Sequence, residues 1–396
     1  MLATTQNATI RRTVLLAALM APGAALAQPD YDQLAHRVIN TTAQVKPGDV
    51  VVISGGKHNL ALMESLTNEA NKAGGMTTMM ISTDKVDRFA ATEVPEKYLE
   101  QEPRFLGEWL KQVDVFISLP SDEDPKAVAA GVPEARWAKI AKANEAVNDL
   151  IMSSRRLRFV NVGYPSKEEA AAYHVDFAAY SKMHWDAVSA DYNQISAKGK
   201  SIQKALAGAK TVRVTSPAGT DVTFTIGDRP VILNDGIMTP EKLQSALFMN
   251  RSVSLPGGDI FVAPLETSAN GKVSIPKGVC RYEPMTGISF EFHAGKLEGF
   301  KAAQNGNCFA ESMAPYSGPK DIFASFVLGL NPAMKAMDQG GLFFPGTAAG
   351  LVYISIGDNH TVGGANQALT GFSFPIMNAT VTADGKTVVK DGRIVM

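Results

Sequence analysis

The stretch VKPGDVVVISGGKHNLALMESLTNEANKAGGMTTMMI, residues 45–81, decides the fold of the first half of the chain. A turn leads into the apolar run at 50–53, which predicts a buried β-strand. Apolar residues then recur at helical spacing over 59–72 until two glycines end the pattern, and a second apolar run follows at 77–81. A strand, a helix and a strand in this order predict a parallel pair of strands joined by a right-handed crossover.

The alternation of strands and helices continues through the first half of the sequence. Runs at 113–119 and 158–162 predict two further buried strands, and 167–206 is predicted to be a helical stretch that closes the domain. In the second half, short alternating runs separated by glycine-containing turns predict many strands and few helices. We therefore predict an α/β fold, with an N-terminal parallel-sheet α/β domain over 28–208 and a strand-rich α+β C-terminal domain over 209–396.

The first residues have the pattern of an export signal. Arg11 and Arg12 precede an apolar run at 14–21, and an Ala-Leu-Ala sequence ends at Ala27. We predict a signal peptide over 1–27, cleaved near Ala27, and a periplasmic or secreted protein without a membrane-spanning segment after cleavage. A cytosolic protein with an apolar N-terminal helix is the alternative. The paired arginines also permit twin-arginine export, but their neighbours fit that signal poorly, so export of the unfolded chain is favoured.

The composition excludes several classes of function. The chain has 38 Lys and Arg against 39 Asp and Glu in 396 residues, and a net charge of −1 predicts no nucleic-acid partner. Two cysteines cannot form a four-thiolate metal site. In an oxidising compartment Cys280 and Cys308 could form a disulfide, or they could be small buried residues, and the sequence does not decide between the two.

Two local motifs suggest ligand sites but have simpler explanations. SGGKH at 54–58 follows a predicted strand, as phosphate-binding loops do, yet it lacks the spacing of the nucleotide-binding fingerprints, so a tight turn is favoured. His184 and Asp186 lie two residues apart in a predicted helix and point to different faces, so they would not hold one metal together.

A longer segment has a more specific pattern. LPGGDIFVAPLETSANG, residues 255–271, resembles a signature of the aminopeptidase T-like (leucyl aminopeptidase-type) metallopeptidases. Further segments fall in the same order as in that family, at 219–224, 329–332, 354–357 and 363–366. The resemblance implies an N-terminal α/β domain, a C-terminal catalytic domain with two divalent metals, and a homodimer. PIMN at 375–378 is also similar to the closing pattern of a dihydroxypyridine ring-cleaving dioxygenase, which implies the same fold with one iron.

The positions that bind metal in this family carry unsuitable residues here. The resemblance places Asp259 and Ser325 at glutamate positions and Tyr353 at a histidine position. The family's closing His-x-Asp pair falls on Gly371 and Ser373, or one residue later on two phenylalanines. Zinc prefers nitrogen, thiolate or carboxylate donors, so we predict a degenerate metal site.

Two more residues belong to the predicted cleft. His360 follows Tyr353 on a loop that could reach the former metal site, although an exposed loop histidine is the simpler interpretation. Glu266 is expected to line the cleft or to hold its loop. No catalytic residue is assigned, and Asp259 and His360 are only weak metal candidates. The predicted cleft residues are Asp259, Glu266, Ser325, Tyr353, His360 and Ser373.

The sequence leaves three functions open. The first is an exported aminopeptidase T-like protein that has lost its metal centre, needs no cofactor, and binds a small molecule or peptide in the inherited cleft. The second is an active metal-dependent aminopeptidase or other hydrolase, with zinc, cobalt or iron held by recruited ligands. Those ligands would be Asp259, Glu266, Glu311 and His360. The third, a mononuclear iron dioxygenase, is disfavoured because the His-x-Asp pair is missing.

Overall fold

The computed structural model describes residues 29–396, so the predicted signal peptide over 1–27 lies outside the described residues. No helix within 29–396 has the length and apolar character needed to cross a membrane. The α-helices are α1 (Tyr31–Arg37), α2 (Leu60–Lys72), α3 (Asp84–Thr92), α4 (Arg104–Leu110), α5 (Pro125–Ala129), α6 (Glu134–Ala143), α7 (Glu145–Ser153), α8 (Lys167–Ala172), α9 (Phe177–Val188), α10 (Tyr192–Leu206), α11 (Pro240–Leu243) and α12 (Gly306–Met313). A π-helical segment lies at Val38–Thr42, and 3-10 segments lie at Lys57–Asn59, Glu96–Tyr98, Phe248–Arg251, Glu266–Ser268 and His360–Val362.

The strands belong to three sheets. They are β1 (Val50–Gly56), β2 (Met76–Ser82), β3 (Val115–Ser118), β4 (Arg158–Val162), β5 (Val212–Thr215), β6 (Asp221–Phe224), β7 (Val231–Asn234), β8 (Ser252–Leu255), β9 (Asp259–Val262), β10 (Asn270–Cys280), β11 (Glu283–His293), β12 (Lys296–Lys301), β13 (Phe323–Gly329), β14 (Val352–Gly357), β15 (Gly371–Ile376), β16 (Thr380–Ala383), β17 (Lys386–Lys390) and β18 (Arg393–Ile394).

The first sheet is parallel and has the strand order β2-β1-β3-β4-β8. Val51 of β1 pairs with Thr77 of β2 on one side and with Val115 of β3 on the other. The helix α2 connects β1 to β2, so the predicted strand-helix-strand unit and parallel α/β domain are confirmed. β8 comes from the second half of the chain, and the domain boundary at residue 208 stays a prediction.

The predicted helical stretch over 167–206 consists of α8, α9 and α10 rather than one continuous helix. His174 has a positive φ of 56° between the first two helices. Asp176 caps α9 by accepting a hydrogen bond from the backbone N–H of Ala179, and Asp191 caps α10 in the same way. Such caps satisfy the free N–H groups of a new helix, and the apolar periodicity alone does not reveal these breaks.

The second half of the chain forms two antiparallel sheets that pack on each other. The larger has the order β12-β11-β10-β6-β5-β16-β17-β18, and the smaller has the order β15-β14-β13-β9-β7. Their contact is aromatic: the rings of Phe224 and Phe326 lie 5.4 Å apart, and those of Phe290 and Phe374 lie 4.7 Å apart. The predicted strand-rich character of this half is confirmed.

A disulfide joins Cys280 at the end of β10 to Cys308 in α12. Both cysteines are also buried. The structure therefore decides between the two interpretations of the cysteines that the sequence left open. The reason is geometric, because pairing depends on how close the fold brings two segments that are 28 residues apart in sequence.

Candidate functional site

The smaller antiparallel sheet has two chemically different faces. Phe326 of β13, Ile354 of β14 and Phe374 of β15 are fully buried on the face that packs against the larger sheet. Side chains of successive residues alternate between the two faces of a strand, so their neighbours point to the other side. We call that other side the polar face, which carries Asp259, Ser325, Tyr353, Ser355 and Ser373.

Three serines form a row across the polar face. Ser325 pairs with Ser355 across β13 and β14, and Ser355 pairs with Ser373 across β14 and β15. The hydroxyl groups of Ser325 and Ser355 are hydrogen-bonded to each other. Ser325 is buried while Ser373 is exposed, so the row runs from the interior to the surface. Its donors and acceptors are all neutral.

Tyr353 lies on the polar face beside this row. Its hydroxyl donates a 2.5 Å hydrogen bond to the carbonyl oxygen of Phe344. Burial raises the pKa of the Tyr353 phenol. The side chain also packs in a cluster with Met183 and Ala187 of α9, which places the polar face next to the N-terminal half of the chain. Tyr353 is therefore a neutral structural donor rather than a metal ligand.

Asp259 is the carboxylate of the polar face. Its Oδ1 accepts a 2.8 Å hydrogen bond from Nδ2 of Asn234 on β7. Burial raises the pKa of Asp259 to about 6, and the hydrogen bond from Asn234 and the charge of Lys242 act in the opposite direction. A carboxylate with this pKa changes its charge near neutral pH.

Glu266 holds two loops together. Its Oε2 accepts a hydrogen bond from Arg229 at 2.8 Å, and its Oε1 accepts from Asn359 at 3.1 Å and from the backbone N–H of Ala365 at 2.6 Å. Burial acts to raise the pKa of Glu266, but these partners together lower it below its ordinary value. Both oxygens are occupied, so this geometry suits a residue that positions loops.

His360 follows β14 and lies at a cavity of about 430 Å³. Its Nδ1 is 2.5 Å from Oδ1 of Asp358, and its Nε2 is 3.9 Å from Oδ1 of Asp149 in α7. Gly371, the first residue of β15, lines the same cavity. The loop histidine is thus held by a neighbouring carboxylate and contacts the N-terminal half of the chain.

The model of the thermophilic metalloprotease (M29) family matches residues 27–319. The chain belongs to this family. The resemblance to aminopeptidase T-like metallopeptidases is therefore confirmed. No curated protein sequence matches the chain.

Two solved structures of similar fold accompany the family match. Wild-type AmpT from Thermus thermophilus has a TM-score of 0.68 at 14% identity, and the match covers 92% of this chain and 99% of AmpT. The 2,5-dihydroxypyridine dioxygenase from Pseudomonas putida has a TM-score of 0.57 at 16% identity, with 94% of this chain and 98% of the dioxygenase covered. At these identities the likeness concerns the fold.

Members of the M29 family are metalloproteases, and a protein of this kind holds its divalent metal with clustered side-chain donors. Within residues 29–396 no three His, Cys, Asp or Glu side chains come together in a way that could hold a metal ion. Apart from Asp259, the five polar-face residues offer neutral hydroxyls, whereas such an ion needs anionic or imidazole donors. The described residues therefore bring together no set of donors that fits a divalent metal.

The recruited ligand set is not brought together either. Glu266 is engaged by Arg229, and Glu311 is exposed on α12, where its carboxylate accepts a hydrogen bond from Arg281. Asp259 and His360 belong to different elements, a strand and a loop. Because the described residues contain no group of three such ligands, the four do not form one metal site.

Sequence reasoning missed two residues of this region. Ser355 lies two positions after Tyr353, so strand alternation is a signal that could have placed both on one face. Asp149 lies near His360 only because the fold brings α7 to the loop after β14. No local pattern could have found that contact.

Proposed function

We propose that this protein is an exported member of the M29 family that binds a small molecule or a peptide in its cleft without a metal ion. The row of Ser325, Ser355 and Ser373 carries the proposal, because two of these serines occupy positions that the family resemblance assigns to metal ligands. Neutral hydroxyls are poor partners for a divalent ion, whereas they can donate to and accept from a polar ligand.

Family membership supports a metal-dependent hydrolase as the competing function, with zinc, cobalt or iron as its cofactor. The scattered positions of Asp259, Glu266, Glu311 and His360 weigh against it. The fold shared with a dioxygenase gives weaker support to a third function, a mononuclear iron dioxygenase. The reason is that the His-x-Asp positions carry Gly371 and Ser373.

The metal content of the mature protein tests the proposal. We expect chelex-treated protein, incubated with zinc, cobalt or iron and then dialysed, to retain much less than one ion per chain. A triple variant, Tyr353→His, Ser325→Glu and Ser373→Asp, is expected to gain affinity for zinc. Stoichiometric metal in the unmodified protein, together with peptide hydrolysis, would overturn the proposal.

We also propose that the protein is cleaved near Ala27 and acts in the periplasm or outside the cell. The disulfide between Cys280 and Cys308 supports this location, because disulfides persist in oxidising compartments. Cell fractionation with N-terminal sequencing tests it. A mature chain that starts near Gln28 outside the cytoplasm is expected, and an uncleaved chain in the cytoplasm would contradict the proposal.

We propose in addition that the protein is a homodimer that pairs through β2. This edge strand exposes between 38% and 58% of Met76, Met80 and Ile81, and Phe89 of the adjacent α3 is 60% exposed. The seven residues of β2 carry no charge, so two copies can pair antiparallel without opposing like charges. Edge strands with exposed apolar side chains readily form such pairs.

A charge placed on this edge tests the dimer. We expect sedimentation velocity to show a dimer for the unmodified protein and a monomer for Met80→Lys. Val395→Lys is the matched control, since Val395 is also an exposed apolar residue but lies at the other end of the chain. A monomeric unmodified protein, or a dimeric Met80→Lys variant, would contradict the proposal.

A further inference from the structure

Residues 330–351 join β13 to β14 without a helix or a strand. The chain leaves and returns at one point, because the backbone N–H of Asn331 donates to the carbonyl oxygen of Thr347 at 2.8 Å. Asn331 also forms a parallel bridge with Ala348. We call the segment between these contacts, residues 332–346, the flap. A surface loop of this length whose ends lie close together is an Ω-loop, and such loops are frequently functional.

The base of the flap is fixed by buried hydrogen bonds. Asn331 is fully buried, and its Nδ2 donates to the carbonyl oxygens of Ala187 in α9 and Gly257, at 3.1 and 2.8 Å. The backbone N–H of Ala349 donates in turn to the carbonyl oxygen of Asn331 at 3.1 Å. A movement of the flap would therefore turn about this base and leave β13 and β14 in place.

The flap packs on Tyr353, one of the predicted cleft residues on the polar face. Met334 and Phe344 of the flap are buried in a cluster with Ala187 of α9. Met183 and Tyr353 pack against that cluster, which is separate from the main hydrophobic core of the chain. Small satellite clusters of this kind form under long loops. Lifting the flap would uncover this cluster without opening the main core.

Hydrogen bonds from two sides hold the outer part of the flap. Nζ of Lys277 on β10 donates to the carbonyl oxygens of Asp338 and Gly341 at 3.0 and 2.7 Å. The backbone N–H of Leu342 donates to the carbonyl oxygen of Tyr173 at 2.8 Å, which joins the flap to the N-terminal half of the chain. Each such bond contributes modestly in net terms, because its groups can bond to water when the flap opens. Opening of the flap therefore costs less free energy than unfolding of the whole chain.

We propose that the flap is a lid that opens about its base and controls the access of ligands to Tyr353 and the polar face around it. The inference rests on the proposed function and adds the regulation of the same cleft. In the structure the lid is closed, held by Lys277 and by the Tyr353 hydroxyl, which donates to Phe344 within the flap. A ligand that accepts a hydrogen bond from this hydroxyl would remove one of the closing bonds and so favour the open lid.

The access of a thiol reagent to the surface beneath the flap tests this inference. Ala187→Cys places a free thiol there, since Ala187 is fully buried in the cluster and both native cysteines form the disulfide. We expect iodoacetamide to label this thiol in the folded protein at a rate that low urea concentrations leave unchanged, because lid opening exposes little surface. A labelling rate that rises with urea in proportion to global unfolding would overturn the inference.

The hydrogen bonds from β10 provide a matched pair of variants in the Ala187→Cys background. Lys277→Met removes these bonds, and Lys272→Met is the control at an exposed site on the same strand. We expect Lys277→Met to speed labelling about tenfold, since it removes hydrogen bonds from a charged donor. Lys272→Met should leave the rate unchanged. Equal labelling rates in the two variants would overturn the inference.

Hydrogen exchange of the unmodified protein is a second measurement that needs no substitution. The amides of Met337 and Leu342 in the flap are hydrogen-bonded to backbone carbonyl oxygens, as are the amides of β14. We expect the two flap amides to exchange at least about a hundredfold faster than those of β14, because local opening exposes the flap alone. Equal protection of the flap and β14 would overturn the inference.

Failure of this inference and failure of the proposed function give different results. Retained stoichiometric metal would overturn the metal-free proposal, whereas thiol labelling and hydrogen exchange report lid opening whether or not metal is bound. A lid that stays closed in a protein that retains no metal would overturn the inference alone.

Discussion

The two faces of the smaller antiparallel sheet come from the same strands but differ in burial and in polarity. On one face Phe326, Ile354 and Phe374 are excluded from water and fill the space against the larger sheet. On the other, Ser325 and Ser373 carry small neutral groups. The apolar face stabilises the fold, while the polar face carries the residues on which the proposed ligand binding rests.

This difference explains how a chain can belong to a metalloprotease family although its described residues contain no cluster of three metal ligands. The fold depends on the burial of large apolar side chains, and the buried face carries such side chains. A metal site depends on a few anionic or imidazole donors at fixed positions. Because side chains alternate along a strand, residues on one face can change without disturbing the packing of the other.

The largest effect is expected on the buried face. Phe326→Ala should lower the free energy of unfolding by about 3–5 kcal/mol, because it leaves a cavity between the two sheets. Val327→Ala, one residue along on the half-exposed face, is the control and should cost much less. Urea unfolding followed by circular dichroism measures both. Equal losses would mean that the two faces do not differ in packing.

The next effect depends on pH and concerns Asp259. Its pKa rises from 3.8 to about 6 on folding, so the folded state binds this proton more tightly than the unfolded state. Its contribution therefore favours folding at low pH, declines as the pH rises through this window, and is unfavourable above it. Asp259→Asn should be more stable than the unmodified protein by about 1–2 kcal/mol at neutral pH.

Unfolding measured across this pH range checks the sign. The two proteins should converge in stability at the acidic end, below the ordinary pKa of an aspartate. Glu266→Gln is the contrasting variant, since the pKa of Glu266 is lowered and its contribution is favourable above the unfolded pKa and is lost on acidification. A Glu266→Gln variant that gains stability at neutral pH would contradict this assignment.

A smaller effect is expected at Tyr353. Tyr353→Phe removes the hydrogen bond to the Phe344 carbonyl and leaves that oxygen without its partner, so it should cost about 1 kcal/mol. Thermal unfolding measures this cost. An unchanged melting temperature would show that the bond contributes nothing.

The smallest effect is expected in the serine row. Ser355→Ala removes the hydroxyl partner of Ser325 and should change the free energy of unfolding by about 0.5–1 kcal/mol. Ser373→Ala, at the exposed end of the row, is the matched control and should be nearly neutral. A large loss at Ser373 would place that residue in the structural core rather than at the cleft.

Much of the local structure could be predicted from the sequence. The apolar run at 158–162 coincides with β4, and the predicted strand-helix-strand unit is present as β1, α2 and β2. These elements could be predicted because the spacing of apolar residues is a local pattern that spans only a few residues. The division of 167–206 into three helices was missed, because the apolar periodicity does not show which aspartates cap the start of a new helix.

The candidate site was predictable only in part. The family resemblance placed Ser325, Tyr353 and Ser373 in the cleft region, and the structure brings these three to one face of one sheet. The sequence could not predict that Asp149 lies beside His360 or that β8 joins the first sheet, because both depend on contacts between distant segments.

The sequence by itself determined the alternation of elements, the two kinds of domain and the family, since these depend on local patterns and on motif order. It also determined that neutral side chains replace most of the expected donors. Only the tertiary structure decided the disulfide, the row of serines and the acidic cavity at His360. Each of these needs side chains from separate segments within a few ångströms, and that distance is set by how sheets and helices pack rather than by any local preference.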